Sequence, residues 1–371
     1  MNNKRSSFGA KTLPARFYTS AEVFELETQR VFETHWQCVG RSSQCAEAGQ
    51  SILVDVENES LIVVRDEDGT LRCFFNVCRH RGTRLCETDG EQFRKSITCP
   101  YHAWSYGLDG ACTAAPNMSE VEGFEKSEWG LKQTSVAECQ GFIFVNLADN
   151  PPPIETALGP LASRLDDWNV AELVPAARLE YRIAANWKML FQNYNECYHC
   201  PRVHPALNAM SSFETAANDI DEGPVLGGPM RLADGTGSMT TDGTACAAVL
   251  PSLDEGDARR VYYFTVFPTL FISPHPDFVL VHRVERCSPV ASRIVCEFLF
   301  HPAAIAEPNF DPTPAVEFRD ETNKQDWHVC ELSQQGVSSR AYEPGPYSNL
   351  ECTLAAFDRH YLDVIGVEAT E

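Results

Sequence analysis

Two short segments give the most direct indication of the fold, NVCRHRGTRLC (residues 76–86) and ITCPYHAWSYG (residues 97–107). One residue separates Cys78 from His80 in the first segment, and two residues separate Cys99 from His102 in the second. Each pair follows a predicted strand, where a tight loop can present two side chains to one metal centre. One Cys and one His from each loop suit a [2Fe–2S] cluster in which two thiolates hold one iron and two imidazoles hold the other.

This mixed ligand set has a chemical consequence. Two neutral imidazoles in place of two thiolates raise the reduction potential of the cluster to about −150 to +300 mV, from about −400 mV for plant-type clusters. A zinc ion bound by two Cys and two His is the alternative, although the spacing is unusual for a zinc finger. The flanking residues Arg-His-Arg-Gly and Pro-Tyr-His-Ala-Trp resemble the Rieske motif. That resemblance implies that Cys78 and Cys99 bind one iron and that His80 and His102 bind the other.

A second group of metal-binding residue types lies in FQNYNECYHCPRVHPAL (residues 191–207). His199 and His204 are five residues apart, and Pro201 prevents a regular helix from continuing between them. A helix that breaks after His199 can return His204 to the same metal ion. Two His and one carboxylate form the facial triad of non-haem Fe(II) oxygenases, which leaves positions open for O2 and substrate.

Other residues of this segment allow further interpretations. Glu196 precedes His199 by three residues and Asn193 lies one turn earlier, so the pattern places all three on one helix face. Cys197 and Cys200 have the spacing of a redox pair, although the surrounding pattern lacks the βαβ context of such pairs. Zinc binding, or purely structural roles for the histidines, are the remaining alternatives.

Taken together, the two segments resemble those of the catalytic α subunit of Rieske non-haem iron oxygenases, and the resemblance covers nearly the whole chain. That family has the pattern Asn-x2-Asp/Glu-x2-His-x4-His, which this chain matches from Asn193 to His204. The resemblance implies that His199 and His204 bind iron. It also implies an α+β fold, in which an all-β Rieske domain accompanies a helix-grip catalytic domain whose central antiparallel sheet is flanked by helices. The expected divisions are an N-terminal helical segment packing on the catalytic domain (1–36), the Rieske domain (37–150) and the catalytic domain (151–371).

The third iron ligand should be a carboxylate from a late helix. Spacing alone leaves five candidates, which are Glu317, Asp320, Glu321, Asp326 and Glu331. The run NKQDWHVCELSQQG (residues 323–336) resembles the late-helix motif of the family. By that resemblance Asp326 takes the ligand position, and Glu331 is the second choice.

The resemblance also implies cofactors and partners. A separate reductase of the ferredoxin or flavin type passes electrons, ultimately from NAD(P)H, to the Rieske [2Fe–2S] cluster and then to a mononuclear Fe(II), which activates O2 beside a small-molecule substrate. In the family, a head-to-tail homotrimer brings the cluster of one subunit to the iron of the next. A carboxylate at the position of Glu196 connects a Rieske histidine, here His102, to an iron-binding histidine. Most members have Asp at this position.

The substrate is indicated by a narrower resemblance. The run NYNECYHCPRVHP, with Glu instead of Asp, resembles the branch that oxidises quaternary ammonium compounds such as glycine betaine, stachydrine, carnitine and choline. There, hydroxylation of an N-methyl carbon releases formaldehyde. Aromatic faces bind such cations, and the candidates in one strand-rich stretch are Tyr262, Tyr263, Phe264, Phe267 and Phe271. The alternatives are hydroxylation of an aromatic acid or another small ring, and electron transfer without oxygenase activity.

The composition excludes other classes of protein. The 371 residues include 52 Asp and Glu against 30 Lys and Arg, and the resulting charge of −22 disfavours nucleic-acid binding. No apolar run approaches the roughly 18 residues of a membrane span, and the N-terminus lacks the apolar region of a secretory signal. We therefore expect a cytoplasmic protein whose 15 Cys are reduced thiols. Residues 72–95 nevertheless carry six basic and three acidic side chains, a local excess that favours an acidic redox partner.

The periodicity of the remaining sequence predicts the other elements. Short strands are expected from about residue 50 to 148, and a helix is expected from Trp187 through the NECYHC sequence. Residues 222–257, rich in Gly, Asp and Thr, are predicted to form a long loop. Strands are then expected at 259–273, 278–287 and 291–301, and helices at 18–35, 313–335 and 348–365.

Overall fold

The computed structural model describes residues 10–367. These residues form two compact units, one made of residues 32–154 and the other made of residues 10–31 together with 155–367. The N-terminal segment thus belongs to the larger unit, which also contains the second predicted metal site. Among residues 10–367, no helix has the length and apolar character needed to cross a bilayer.

The unit of residues 32–154 consists of short strands in three antiparallel sheets. Its strands are β1 (Gln37–Arg41), β2 (Ser51–Val56), β3 (Glu59–Arg65), β4 (Leu71–Phe75), β5 (Ser96–Thr98), β6 (Ser105–Gly107), β7 (Cys112–Ala114), β8 (Ser135–Cys139) and β9 (Phe142–Asn146). The strand orders are β1–β9–β8, β2–β3–β4 and β5–β6–β7. This part of the chain is therefore rich in strands, as its alternating pattern predicts.

The hairpin between β3 and β4 illustrates how local sequence fixes this arrangement. Gly69 has a φ of +80°, a conformation that glycine adopts without steric cost. The Asp66 carboxylate accepts hydrogen bonds from the backbone N–H groups of Asp68 and Thr70, at 3.0 and 2.8 Å. These bonds close the turn, so β4 returns beside β3 and leads into the loop that carries Cys78.

The larger unit contains one six-stranded antiparallel sheet and ten α-helices among its described residues. Its strands are β10 (Val174–Ile183), β11 (Val225–Arg231), β12 (Arg260–Val266), β13 (Leu270–Pro274), β14 (Val279–Ser288) and β15 (Ala291–Phe300), in the order β10–β15–β14–β13–β12–β11. The helices are α1 (Arg16–Thr19), α2 (Ala21–Glu27), α3 (Ile154–Leu158), α4 (Leu161–Asp166), α5 (Trp187–Tyr194), α6 (Cys200–Val203), α7 (Pro205–Met210), α8 (Pro302–Ile305), α9 (Thr313–Val337) and α10 (Cys352–Ile365).

The long helix α9 packs against the sheet through one face. Buried residues recur three or four positions apart along α9, which is the spacing of a single helix face, and they include Ala315, Arg319, Asn323, Trp327, Cys330, Gln334 and Val337. Polar contacts fix its position, because Tyr181 of β10 donates to Asp320 at 2.9 Å and Arg319 donates to Tyr263 of β12 at 3.0 Å. The predicted α+β class, with a large antiparallel sheet flanked by helices, is confirmed.

The prediction of a loop at 222–257 is wrong in part, because this range contains β11, which pairs with β12. The sequence Gly227-Gly228-Pro229 gave no strand signal, since glycine and proline are depleted in strands. Glycine is nevertheless required at position 227. Its φ is +135°, and a Cβ atom there would lie 1.9 Å from the Tyr263 carbonyl oxygen.

The helix predicted from Trp187 through His199 is shorter than expected. Helix α5 ends at Tyr194, and the Glu196 carboxylate then accepts hydrogen bonds from the backbone N–H groups of Tyr198 and His199, the latter at 3.3 Å. Side-chain bonds of this kind compete with helical hydrogen bonds. Glu196 and His199 therefore meet across a turn and not along one helix face.

Candidate metal centres and active site

Two loops of the smaller unit carry the first group of predicted ligands. Cys78 and His80 follow β4, and Cys99 and His102 lie between β5 and β6. Each loop is closed in a similar way, because the Gly82 N–H donates to the Cys78 carbonyl at 3.0 Å and the N–H of Ala103 donates to the Cys99 carbonyl at 3.1 Å. Both Gly82 and Ala103 have positive φ, +73° and +57°. The two loops thus present their Cys and His side chains in the same manner.

The structure brings the four side chains to one place, with sulfur inside and imidazole outside. Cys78 and Cys99 are each only 3% exposed, whereas His80 is exposed and His102 is half-buried. The two imidazole rings lie 4.7 Å apart between centroids. The His80 ring also stacks on Trp104 at 4.9 Å with an interplanar angle of 3°, which limits the rotation of His80.

Hydrogen-bond donors around Cys99 Sγ favour its thiolate form. Burial raises the pKa of the Cys99 thiol, but the backbone N–H groups of Tyr101 and His102 act against burial and the pKa is lowered overall. The Tyr106 hydroxyl lies 3.2 Å from Cys78 Sγ. Two buried cysteine sulfur atoms and two outer imidazoles match the donor set of a [2Fe–2S] cluster of the Rieske type.

The second group of predicted ligands follows α5 in the larger unit. His199 is the residue before α6, and His204 separates α6 from α7. Pro201 and Pro205 each lie in the first turn of these helices, where the missing N–H has no cost. His199 and His204 therefore flank the single turn of α6, which returns His204 to the neighbourhood of His199.

His199, His204 and Asp326 of α9 converge in the larger unit. Asp326 Oδ1 lies 3.3 Å from His199 Nε2 and 2.8 Å from His204 Nε2. The two rings are 5.1 Å apart between centroids and nearly perpendicular, at 79°. One potential ligand atom from each of the three residues lies within 4.8 Å of the others. Two imidazoles and one carboxylate in this arrangement are the donor set of the facial iron triad.

Both histidines are oriented by hydrogen bonds at their other ring nitrogen. His199 Nδ1 lies 2.6 Å from Glu196 Oε1, and His204 Nδ1 lies 2.7 Å from Gln325 Oε1. With Nδ1 held in each case, Nε2 is the ring nitrogen of both histidines that faces Asp326. Outer partners of this kind fix the tautomer and the ring orientation of metal-binding histidines. Gln325 was not predicted from the sequence, where its only signal is its position beside Asp326.

The other carboxylates considered for the third position make contacts elsewhere. Asp320 accepts from Tyr181 and Lys324, and Glu321 accepts from Gln325 at 2.9 Å. Glu331, the second choice, accepts the backbone N–H of Ala184 at 2.9 Å. Glu317 is exposed. Of the five candidates, Asp326 is therefore the one that the structure places beside both histidines.

The charges in this cluster suit a divalent cation. Burial raises the pKa of Asp326, but His199 and His204 lower it to about 2. Burial lowers the pKa of His199, but Asp326 and Glu196 raise it to about 10. The carboxylate is thus ionised and attracts a proton to His199, and a metal ion that binds here releases that proton.

A cavity of about 180 Å³ opens beside these three side chains. Asn193, predicted to act beside the metal, lies in the last turn of α5 and lines this cavity. Cys197 and Cys200 line it too, and the Cys197 thiol lies 3.5 Å from the sulfur of Met230. The cavity thus combines the metal-binding cluster with polar and aromatic walls.

Of the five aromatic residues proposed for cation binding, Tyr263 lines the cavity. Side chains alternate along β12, so Tyr262 and Phe264 face the other side of the sheet, where their rings stack at 5.7 Å. Tyr194 provides a second aromatic wall, and its ring lies 6.0 Å from that of Tyr263. This residue was not predicted from the sequence. Its place beside Asn193 in the motif was an available signal.

Two family models match the chain. The model of the Rieske [2Fe–2S] domain matches residues 35–125, and the model of the catalytic domain of ring hydroxylating alpha subunits matches residues 170–367. The second match covers more than half of the chain and includes both histidines and Asp326.

The chain is also similar to named oxygenase subunits. The glycine betaine monooxygenase oxygenase subunit of Pseudomonas aeruginosa is 31% identical over 93% of this chain and 86% of its own length. The carnitine monooxygenase oxygenase subunit of Escherichia coli (strain K12) is 40% identical over 54% of each chain. A crystal structure of the quaternary ammonium Rieske monooxygenase CntA matches with a TM-score of 0.82 and 27% identity, over 98% of this chain and 96% of that one. The chain therefore belongs to the Rieske non-haem iron oxygenases, as an oxygenase α subunit that has a Rieske [2Fe–2S] domain, a mononuclear-iron catalytic domain and a separate reductase as its electron donor.

Proposed function

We propose that this monooxygenase hydroxylates an N-methyl carbon of a small quaternary ammonium compound and so removes the methyl group as formaldehyde. The observation that carries the proposal is the aromatic wall formed by Tyr194 and Tyr263 beside the His199–His204–Asp326 cluster. Support also comes from the relatives, which are named for glycine betaine and carnitine. CntA has been crystallised with L-carnitine and with gamma-butyrobetaine.

The metal centres are assigned to seven side chains. We propose that Cys78, Cys99, His80 and His102 hold the [2Fe–2S] cluster, and that His199, His204 and Asp326 hold the mononuclear Fe(II). When bound, these groups supply electron storage and the activation of O2. Three protein ligands would leave positions on the iron for O2 and substrate, and His199, His204 and Asp326 all line the cavity.

The protein side chains position the reacting groups. Glu196 and Gln325 keep both Nε2 atoms directed to the metal, through bonds of 2.6 and 2.7 Å. The faces of Tyr194 and Tyr263 attract the quaternary ammonium, since each cation–π contact contributes about 0.5–2 kcal/mol. A substrate held in this way has an N-methyl carbon directed toward the His199–His204–Asp326 site.

The reductase supplies the two electrons that the overall reaction consumes. One oxygen atom of O2 is inserted into a C–H bond of the N-methyl group, and the other is reduced to water with two electrons and two protons. The resulting N-hydroxymethyl group breaks at its C–N bond. Formaldehyde, a proton and the tertiary amine are then released. Asn193, on the cavity wall, is proposed to contact the reacting groups.

We further propose that Glu196 takes part in electron transfer between subunits of a homotrimer. Its Oε1 already contacts His199 Nδ1 at 2.6 Å. A carboxylate has about four acceptor sites, so Glu196 retains capacity for one more donor. In the proposed assembly that donor is His102 of the partner subunit, and the Rieske imidazoles are at the surface of their unit, where a neighbour can reach them.

A substrate panel tests the proposed reaction. The enzyme, loaded with both metal centres and supplied with a surrogate reductase, is incubated with betaines, carnitine, choline and aromatic acids. Oxygen uptake coupled to formaldehyde release with at least one quaternary ammonium compound is expected. Oxygen uptake with a hydroxylated aromatic product, and none with any quaternary ammonium compound, would replace this proposal by ring hydroxylation.

A further inference from the structure

Arg319 is a buried cation in the wall of the active-site cavity. It lies on α9 seven residues before Asp326, so both side chains are on one helix face and their Cα atoms are about 10 Å apart. The side chain lines the cavity, although only 3% of Arg319 is exposed. A guanidinium group remains protonated in proteins, so the cavity wall has a fixed positive charge.

Neutral groups occupy one side of this guanidinium. Arg319 Nη2 donates to the Tyr263 hydroxyl and to His275 Nε2, both at 3.0 Å. His275 must accept through Nε2, because arginine has only donors. Burial, and then the charge of Arg319, hold the pKa of His275 well below its usual range, and burial raises the pKa of Tyr263. Neither partner therefore supplies a negative charge.

The other side of the guanidinium has unused donors. Arg319 Nε is buried without a hydrogen-bond partner, and within residues 10–367 no Asp or Glu lies at ion-pair distance from the group. A buried cation without an anionic partner is strongly unfavourable. The cavity thus has a place where an anion would be stabilised, and a carboxylate can accept a charge-assisted hydrogen bond from a donor of this guanidinium that is not already used.

Asn195 adds a second donor to the same cavity. Its Oδ1 accepts the Thr265 hydroxyl at 2.9 Å, while its Nδ2 is buried without a partner. Asn195 is 7% exposed and lines the cavity together with Arg319. Two buried donor groups therefore remain available on the walls of a cavity whose aromatic side chains suit a cation.

We infer that Arg319, assisted by Asn195, binds the carboxylate of a zwitterionic substrate, so that the enzyme selects betaines over cations that lack a carboxylate. This inference rests on the proposed function and narrows its substrate class. The guanidinium carbon lies 5.5 Å from the centroid of the Tyr263 ring. A simple cation on that ring would therefore also be repelled by the charge of Arg319. A carboxylate placed between the two charges removes the repulsion.

Matched ligand pairs test the inference on the holoenzyme. Glycine betaine is compared with choline, and 4-(trimethylammonio)butanoate with 4-(trimethylammonio)butanol, by calorimetric binding and by KM. The wild type is expected to prefer each carboxylate. Arg319→Gln should weaken the binding of the carboxylate ligands by about 10- to 100-fold and that of the alcohols by less than about threefold, because a charge-assisted hydrogen bond is lost. Arg319→Lys should give an intermediate loss, since lysine offers a point charge and no planar fork.

Controls separate this role from a structural one. Arg178→Gln removes an exposed arginine of β10 that pairs with Glu180, and it should leave both ligand classes unchanged. Equal weakening of carboxylates and alcohols by Arg319→Gln, with normal iron content, would overturn the inference. Equal binding of both classes by the wild type would also overturn it, even if the variants did not fold. Absence of formaldehyde with every ligand contradicts the proposed function instead, because binding is measured separately.

Discussion

At the scale of single side chains, Glu196 joins His199 to the backbone of its own turn. Its carboxylate contacts His199 Nδ1 at 2.6 Å and accepts from the N–H of His199 at 3.3 Å. Glu196→Gln should retain both metal centres and suppress coupled turnover, because the amide has one acceptor oxygen for several donors. Iron content and product formed per O2 consumed measure the effect. Glu317→Gln, on an exposed position of α9, is the control, and product formation at the wild-type rate in Glu196→Gln would contradict the bridging role.

The proposed third ligand can be tested by counting iron. Asp326→Ala should lower the iron content from about three to about two atoms per chain, since the mononuclear site loses its carboxylate while the cluster remains. The visible absorption of the Rieske cluster should be unchanged. Glu331→Ala is the matched comparison, because Glu331 contacts the Ala184 N–H and not the histidines. Loss of iron from Glu331→Ala but not from Asp326→Ala would show that Glu331, and not Asp326, is the third iron ligand.

Site residues that lie close together in a short segment could be predicted from the sequence. The spacing within 76–86, 97–107 and 191–207 nominated four Rieske residues and two histidines, which the structure brings together in two groups. Spacing alone did not select Asp326 among five acidic residues, because the choice depends on how α9 packs. Arg319 was not found for the same reason, since its importance arises from contacts with β12 and from the absence of an anion near it.

At the scale of elements, a buried ionic cluster connects α2 to α5. Glu27 and Lys188 are 1% and 0% exposed, and Lys188 Nζ lies 2.5 Å from Glu27 Oε1. Glu27 also accepts from Trp187 at 3.0 Å and from Tyr361 of α10 at 2.6 Å. This cluster gives the N-terminal helices a fixed place in the larger unit.

Lys188→Met should lower the free energy of unfolding by about 3–5 kcal/mol, because the buried Glu27 carboxylate loses its nearer cation and keeps only Arg286, at 3.6 Å. Chemical denaturation of the larger unit measures the change. Lys324→Met is the control, since Lys324 is 61% exposed in its pair with Asp320 and such surface pairs contribute less than about 1 kcal/mol. A change in Lys188→Met as small as that of the control would show that the buried pair has little effect on stability.

Elements with a clear hydrophobic periodicity were predicted well. Elements whose bounds depend on tertiary or side-chain contacts were not. Strands β14 and β15 and helices α9 and α10 lie close to their predicted ranges, whereas the single strand expected at 259–273 is divided into β12 and β13. Strand β11 was missed because its pairing with β12 requires Gly227 at a close backbone approach. The early end of α5 was missed because the Glu196 side chain replaces helical hydrogen bonds with local ones.

At the scale of the whole molecule, the basic patch near the cluster is smaller than its sequence suggests. Arg72 pairs with Asp66 at 2.9 Å, and Arg84 lies 3.4 Å from Asp55. Arg81, Arg94 and Lys95 are exposed. These three residues are therefore the better candidates for attracting an acidic reductase to a chain whose overall charge is −22.

Reduction of the Rieske cluster by the native reductase should slow as ionic strength rises, because salt screens exposed charges beyond about 10 Å at 0.1 M. The combined variant Arg81→Gln, Arg94→Gln and Lys95→Gln should be reduced more slowly at low salt and respond less to added salt. Stopped-flow absorbance of the cluster measures both effects. Identical salt dependence in the variant and the wild type would exclude these three residues from docking.

The most direct test of the proposed reaction is a single turnover with a labelled methyl group. Fully reduced enzyme is mixed with O2 and glycine betaine that carries ¹³C in its N-methyl groups. We predict one ¹³C-formaldehyde and one dimethylated amine for each substrate molecule consumed, with one atom of O2 appearing in the released formaldehyde before it exchanges with water. Consumption of O2 without labelled formaldehyde, for glycine betaine and for the longer labelled betaines alike, would contradict N-demethylation by this enzyme.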